Sequence, residues 1–360
     1  MNKLRVAING FGRIGRVLTR LNLKEEIFDL VAINDINEDI ENLAYLLKFD
    51  SVYGKLTEQV EVINNKTLKI SSNNIKVYHD KNIEQIPWYE DNIDIIIDAS
   101  GVAKNYFRFS PDDENRFGYY ILTSEDPELN TVVCDINEST VDLKNIKYMC
   151  ASTCDAIALS PIIKAISSKY TIEYGTLMTL HPWLSYQKLT DSERIQGFNK
   201  SDAYTLARAA TSSLIPKATS AVSAVRKLLP NVTENIESFS YRVPTSAVSS
   251  AVINLRVKEK IKQDEVERVL YQFQANQKFK TLSLEYENTV SIDHLGTRYS
   301  SIIDTRWNKI KEHNIQLTFW YDNEMGYCSK LMDLIEHISS LQCKTIHRVH
   351  SKFKNTLLTV

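Results

Sequence analysis

Two constellations in this 360-residue chain have the residue types and spacing for chemistry. The first is Asn9-Gly10-Phe11-Gly12-Arg13-Ile14-Gly15, a G-x-G-x-x-G string, with Asp35 twenty residues beyond Gly15. That pattern suits a dinucleotide: Gly10 permits a tight turn, Gly12 lets backbone approach a pyrophosphate, and Gly15 lets helix pack on strand. The helix opening here would aim free N–H groups and its positive dipole end at the phosphates. Asp35 would accept hydrogen bonds from both ribose hydroxyls and repel a 2′-phosphate, which favours NAD over NADP. The second constellation is Cys154 with His181. A helix N-terminus favours a thiolate, and a histidine at the end of a neighbouring strand can act as its base. Taken singly, each residue also fits an inert role, a buried thiol or a structural histidine, and spacing alone leaves that alternative open.

Both constellations need elements to position them. Leu4 to Ile8 is a short apolar run ahead of the glycines, and Arg13 to Leu23 has helical spacing. Leu30 to Ile33 is a second run, ending in Asn34-Asp35, and Glu41 to Phe49 reads as helix. Between residues 55 and 80, alternation broken by Asn64-Asn65 and Asn73-Asn74 predicts small hairpins. Ile93 to Ile97, Tyr119 to Leu122 and Ile146 to Met149 read as further buried strands, and Asp155 to Ser168 as a helix led by Cys154. From about residue 170 the strands lengthen: Tyr170 to Leu180, Phe239 to Val243, Ala251 to Val257, Ser300 to Asp304 and Ile315 to Tyr321, with one strong helix at Asp264 to Ala275. The fold class is therefore α/β: a Rossmann-type doubly wound parallel sheet, followed by an α+β catalytic domain with a mostly antiparallel sheet. The expected division is 1–153 and 154–325. Residues 342–360, with Lys344, His347, Arg348, His350, Lys352 and Lys354, read as a basic, solvated C-terminal extension.

Composition narrows the function. Lys plus Arg is 43 and Asp plus Glu is 45, a net charge of −2, so no global field grips nucleic acid or an anionic membrane. No apolar run approaches the ~20 residues of a membrane span, and Met1 to Arg5 leads straight into a strand without a signal-peptide core. The five cysteines, Cys134, Cys150, Cys154, Cys328 and Cys343, are scattered with no C-x-x-C pair, so neither a disulfide framework nor a metal site is expected. The chain reads as cytoplasmic, with free thiols.

Five ordered motifs carry a resemblance: Asn9-Gly-Phe-Gly-Arg-Ile-Gly-Arg16, Val31-Ala-Ile-Asn-Asp35, Leu46-Leu-Lys-Phe-Asp-Ser-Val-Tyr-Gly54, Arg242-Val-Pro-Thr245 and Trp320-Tyr-Asp-Asn-Glu-Met-Gly-Tyr327. Together they resemble the glyceraldehyde-3-phosphate dehydrogenase family over roughly residues 2 to 340. The resemblance implies a homotetramer, an NAD-binding domain onto which a C-terminal helix of about 326–341 packs back, and a catalytic domain. It implies aldehyde oxidation through a cysteine hemithioacetal and a thioester, with NAD as acceptor and release of the acyl group by phosphate. By position, it assigns cofactor contacts to Gly10, Phe11, Gly12, Arg13, Ile14, Gly15, Asp35, Lys81, Thr123, Asn323 and Tyr327. It assigns the base to His181, and substrate or phosphate contacts to Thr219, Ser220 (where the family has Gly) and Arg242, with Thr153 and Asp155 of the nucleophile segment placed at the same subsite.

The nucleophile segment departs from that pattern. The family's A-S-C-T-T-N-C-L-A-P is replaced by Ala151-Ser-Thr-Cys-Asp-Ala-Ile-Ala-Leu-Ser-Pro161, one residue longer. Counting back from Pro161 puts Cys154 on the nucleophile, whereas counting forward from Ala151 puts Thr153 there; the first count supplies a thiol at a helix start. Asp155 and Ala156 then replace two threonines, and Leu184 replaces a phosphate-binding threonine. A carboxylate facing a phosphate site would cost ~4 kcal/mol per charge pair at ~4 Å and an effective dielectric of ~20. Asp155 turned to water would instead be ordinary first-turn helix chemistry. The expected function is NAD-dependent oxidation of a phosphorylated aldehyde, by default glyceraldehyde 3-phosphate. The alternatives are a hydrolytic, non-phosphorylating relative and a cofactor-binding homologue with weakened turnover.

Overall fold

A computed structural model describes residues 3–110, 117–232 and 234–356, the side chains of residues 342–356 excepted. The first sheet comprises β1 (Leu4–Asn9), β2 (Phe28–Asn34), β3 (Val60–Asn64), β4 (Thr67–Ile70), β5 (Asn73–Tyr78), β6 (Ile95–Asp98), β7 (Tyr119–Leu122), β8 (Asn130–Thr131) and β9 (Tyr148–Cys150). Its spatial order is β8-β9-β7-β6-β1-β2-β5-β4-β3. Every pairing from β8 to β5 is parallel, and only the β3–β4–β5 meander runs antiparallel. Val6, Ile8, Ile33, Ile95, Ile96 and Ile97 are fully buried, as expected for strands covered on both faces. The covering helices are α1 (Arg13–Glu25) and α2 (Ile40–Lys48), the latter capped by the Asp39 carboxylate accepting from Asn42 N–H.

Strand order reverses at β1, where open α/β sheets form their binding crevice. A buried relay stitches the C-terminal strand ends there. The Asn34 amide donates to Asn9 Oδ1 at 2.7 Å, the Asn9 amide donates to Asp98 Oδ1 at 2.9 Å, and Asp80 N–H donates to Asn34 Oδ1 at 2.9 Å.

After β9 the chain enters α3 (Cys154–Ser167) and then a seven-stranded sheet. Its strands are β10 (Ile172–Pro182), β11 (Ile215–Lys217), β12 (Ile236–Val243), β13 (Ser249–Ile261), β14 (Leu282–Glu285), β15 (Ser301–Asp304) and β16 (Lys309–Tyr321), ordered β11-β12-β10-β13-β16-β15-β14. The long central pairs are antiparallel, whereas β10–β12 and β14–β15 are parallel. Helices α4 (Lys200–Thr205), α5 (Ala221–Leu228) and α6 (Gln263–Asn276) lie in its connections. Neither α4 nor α5 was legible in the sequence, since six and eight residues barely establish a helical period.

The chain returns along α7 (Met325–Thr356). Leu331, Leu334, Ile335 and Ile338 join the same buried cluster as Leu4, Val17 and Leu18, so this helix completes the core of the first sheet. It does not end near residue 341. Its backbone stays helical through Thr356, because no glycine or proline interrupts the stretch after residue 341. The side chains of that basic segment, Cys343 included, and residues 357–360 lie outside the described residues.

Candidate functional site

The glycine string forms the turn its spacing predicts. Gly10 has φ +92°, and a Cβ there would lie 2.5 Å from Ser100 N. A Cβ on Gly15 would lie 2.4 Å from the Gly10 carbonyl oxygen, where α1 crosses the turn. Gly12, by contrast, would carry a Cβ into open space. It is the N-cap of α1, which has neither a side-chain cap nor an acidic residue in its first turn. This is an anion cradle, and the residues present fit a dinucleotide pyrophosphate. Asp35 follows β2; its carboxylate accepts Phe11 N–H at 2.7 Å and Asn37 N–H at 2.9 Å, so it also fixes the glycine loop.

A cavity of about 710 Å³ runs from the first turn of α1 to the second sheet, with Arg13, Ile14, Thr123, Asn323 and Tyr327 in its wall and Cys154 and His181 farther along. Arg13 is clasped by Asp50 at 2.6 Å and by both carboxylate oxygens of Glu324. Thr123 donates its hydroxyl to the Asp98 carbonyl. Tyr327 is buried and donates to the Ser152 carbonyl at 3.3 Å. Asn323 is buried with its Oδ1 unpartnered among the described residues; an amide facing this end of the cavity would satisfy it. Lys81 does not reach the cavity: it is exposed beyond β5, on a loop pinned to β2 through Asp80 and Asn34.

Cys154 and His181 come together. Thr153 is the N-cap of α3, its Oγ1 accepting Ala156 N–H, and Cys154 is the first helical residue. Cys154 Sγ lies 3.6 Å from His181 Nε2. His181 stands near the C-terminal end of β10, where its Nδ1–H donates to the Pro182 carbonyl at 2.8 Å. That bond fixes the tautomer and leaves the Nε2 lone pair facing the sulfur. Just before the thiol, buried Ser152 holds the left-handed region at φ +63°, local strain of the kind stored at functional sites. Cys150, within β9, accepts Asp126 N–H on its sulfur, and burial pushes its thiol up to about 12.

Asp155 faces the site, not water. Its Oδ1 accepts the Tyr321 hydroxyl at 2.8 Å, its Oδ2 accepts the Thr219 hydroxyl at 3.1 Å, and Oδ1 lies 3.6 Å from Cys154 Sγ and 3.9 Å from His181 Nε2. Burial pushes the Cys154 thiol well above its usual range, and the Asp155 carboxylate pushes the same way against Arg242. Burial pushes His181 down, against the pull of Asp155. Both shifts favour the neutral thiol and neutral imidazole over the thiolate–imidazolium pair. Arg242 sits in register with His181 on the neighbouring strand β12, buried and with its Nε unpartnered among the described residues. Ser220 is exposed at the N-cap of α5 and makes no side-chain cap. Leu184 lines the cavity, and its side chain offers no hydrogen bond.

Sequence reasoning missed Tyr321. It ends β16, where Leu317, Phe319 and Tyr321 alternate as buried residues, so its aromatic ring reads as core. Only its hydroxyl, reaching Asp155, belongs to the site.

Comparison with known proteins agrees with this geometry. The family model for the glyceraldehyde 3-phosphate dehydrogenase NAD-binding domain matches residues 4–106, and that for the C-terminal domain matches residues 153–323. The glyceraldehyde-3-phosphate dehydrogenase of Eremothecium gossypii is 31% identical over 338 residues, covering 94% of this chain and 99% of the relative. A cytosolic one from Gracilaria gracilis is 31% identical over 344 residues, covering 94% and 98%. A chloroplastic one from Arabidopsis thaliana is 29% identical over 338 residues, covering 94% and 78%. The chain belongs to the glyceraldehyde 3-phosphate dehydrogenase family.

Proposed function

We propose that this family member oxidises glyceraldehyde 3-phosphate with NAD, through a thioester on Cys154. The observation that carries the proposal is the 3.6 Å approach of Cys154 Sγ to His181 Nε2, in a cavity whose wall also holds Arg13 and Ile14 from the first turn of α1. His181 takes the thiol proton and returns it to the carbonyl oxygen as the sulfur adds to the aldehyde carbon, which gives a hemithioacetal and leaves the imidazole neutral again. NAD, held by the α1 N-terminus, Asp35 and Asn323, supplies the two-electron acceptor. His181 then removes the hydroxyl proton as the carbon is oxidised to the thioester. Arg242 is the anchor for the substrate phosphate.

Release of the acyl group is read differently from the phosphate-using pattern. Asp155 already takes the Thr219 hydroxyl and places a carboxylate 3.6 Å from the sulfur, where an incoming phosphate dianion would meet like charge. Water suffers no such repulsion, and the carboxylate can accept its proton. We therefore infer slow use of phosphate and appreciable hydrolytic release. A homotetramer in the cytoplasm completes the proposal, in keeping with relatives named cytosolic; among the described residues no helix is long and apolar enough to cross a membrane. A panel of phosphorylated and unphosphorylated aldehydes, assayed with NAD with and without inorganic phosphate, tests it. NADH formation from glyceraldehyde 3-phosphate that persists without phosphate is the expected result. Failure of every aldehyde would leave only a cofactor-binding protein.

A further inference from the structure

The residue that departs from the family pattern does more than change the acyl acceptor. Cys154 Sγ, a carboxylate oxygen of Asp155 and His181 Nε2 form a group whose donor atoms all lie within 4.8 Å of one another, although the sequence pattern predicted no metal site. In a tetrahedral zinc centre, with bonds of about 2.3 Å to sulfur and about 2.0–2.2 Å to nitrogen or oxygen, neighbouring donors stand about 3.4–3.6 Å apart. The separations here are 3.6 Å for Sγ to Nε2, 3.6 Å for Sγ to Oδ1, and 3.9 Å for Nε2 to Oδ1. Three of the four donors of a tetrahedron are thus set before any ion arrives, two of their three separations at the required length and the third, Nε2 to Oδ1, 0.3 Å beyond it.

The surroundings hold those donors. His181 donates Nδ1–H to the Pro182 carbonyl, so the nitrogen facing the group carries a lone pair. Tyr321 and Thr219 each donate a hydroxyl to Asp155, fixing the carboxylate while leaving it acceptor capacity. Outer bonds of this kind orient metal ligands and support their affinity. The cavity provides an entry path and room for water in the fourth position. Charge also closes, since a thiolate and a carboxylate balance a dication, which offsets the opposing field of nearby Arg242.

We propose that Cys154, Asp155 and His181 form a reversible, inhibitory zinc(II) site. Binding forms Zn–S, Zn–O and Zn–N bonds and displaces the thiol proton to solvent; nothing is oxidised or reduced. The occupied cysteine can no longer add to an aldehyde. Inhibition rests on the proposed function, but binding does not.

The test titrates the reduced, chelator-stripped chain with zinc(II) by calorimetry and with cobalt(II) by absorption, with neither NAD nor aldehyde present. The expected result is one ion per chain, a thiolate-to-cobalt charge-transfer band lost in Cys154→Ser, and affinity lowered at least ~10-fold in both Asp155→Asn and His181→Asn. Zinc should also protect Cys154 from iodoacetamide until a chelator is added. Circular dichroism and NAD binding check that each variant is folded, and Asp155→Thr stands in if Asp155→Asn is not. Absence of stoichiometric binding, or undiminished affinity in a folded Asp155 or His181 variant, overturns the proposal. Zinc binding by a chain that oxidises no aldehyde when metal-free would contradict the proposed function and leave the site standing.

Discussion

Asp155 is the residue on which this chain's chemistry turns. Buried against Tyr321 and Thr219, it adds negative charge beside a thiol whose pKa burial already raises. A raised thiol pKa means less thiolate at neutral pH and reactivity that climbs as pH rises towards that pKa. Asp155→Thr removes the charge, so the pH profile of iodoacetamide labelling at Cys154 should move to lower pH. The same substitution should lower the apparent Michaelis constant for phosphate, by ~10-fold for each ~1.4 kcal/mol of repulsion relieved. An unmoved profile and an unmoved constant would mean the carboxylate has no influence on the sulfur. At the cofactor end, NAD should bind at least ~10-fold more tightly than NADP, and Asp35→Ala should narrow that ratio in a fluorescence titration. Equal affinities in the unaltered chain would count against Asp35 as the ribose reader. Cys154, His181 and Asp35 were legible because each sits at a strand or helix end that periodicity defines. The direction of the Asp155 side chain was not, because a first-turn aspartate suits water or a pocket equally until tertiary packing supplies Tyr321.

The elements work by where they begin and end. Helix α3 starts on the strained Ser152 and the Thr153 cap, which together turn Cys154 out of the β9 line and towards β10. Its interior Pro161 cannot donate to the Ile157 carbonyl, and the Ser160 hydroxyl serves that oxygen instead at 3.3 Å. At the other constellation, helix and turn touch at Gly15. Gly15→Ala would gain up to ~1 kcal/mol of helix propensity but force a backbone shift typical of overpacking, at ~1–3 kcal/mol. A loss of stability in urea, with weakened NAD binding, is the expected outcome; a more stable variant with normal binding would show that the helix need not approach so closely. Strands were readable from apolar runs, and the Asn-rich hairpins from their turns. Short helices such as Ala221–Leu228 escaped, and α7 ran past its expected end, since a basic stretch without breakers carries no stop signal.

At the scale of the molecule, the two sheets share one cavity, and polar clasps hold its walls in register. Arg13 at the head of α1 bridges Asp50 and Glu324, while Tyr53 donates to Asp322 Oδ1 at 2.7 Å, the oxygen that also receives Glu324 N–H and Met325 N–H at the start of α7. Residues over 300 positions apart thus close the site from the cofactor side. Arg13→Met should cost ~1–3 kcal/mol in denaturant unfolding, less than a fully buried pair because Arg13 is partly exposed, by stranding the buried Asp50 carboxylate. Undiminished stability would mean that water serves Asp50 as well as Arg13 does. Such long-range closure was not readable along the chain, because Arg13, Asp50 and Glu324 carry no pattern until three distant segments fold together. The assembly has one purpose in this proposal, to bring an aldehyde, NAD and Cys154 together. The most direct measurement mixes the chain with NAD and glyceraldehyde 3-phosphate, quenches in acid, and maps the acyl adduct by peptide mass spectrometry alongside the NADH burst. One acyl group per chain on the Cys154 peptide, matched by one NADH and absent in Cys154→Ser, is the predicted result; an adduct on Cys150, or NADH formed with Cys154 never acylated, would contradict it.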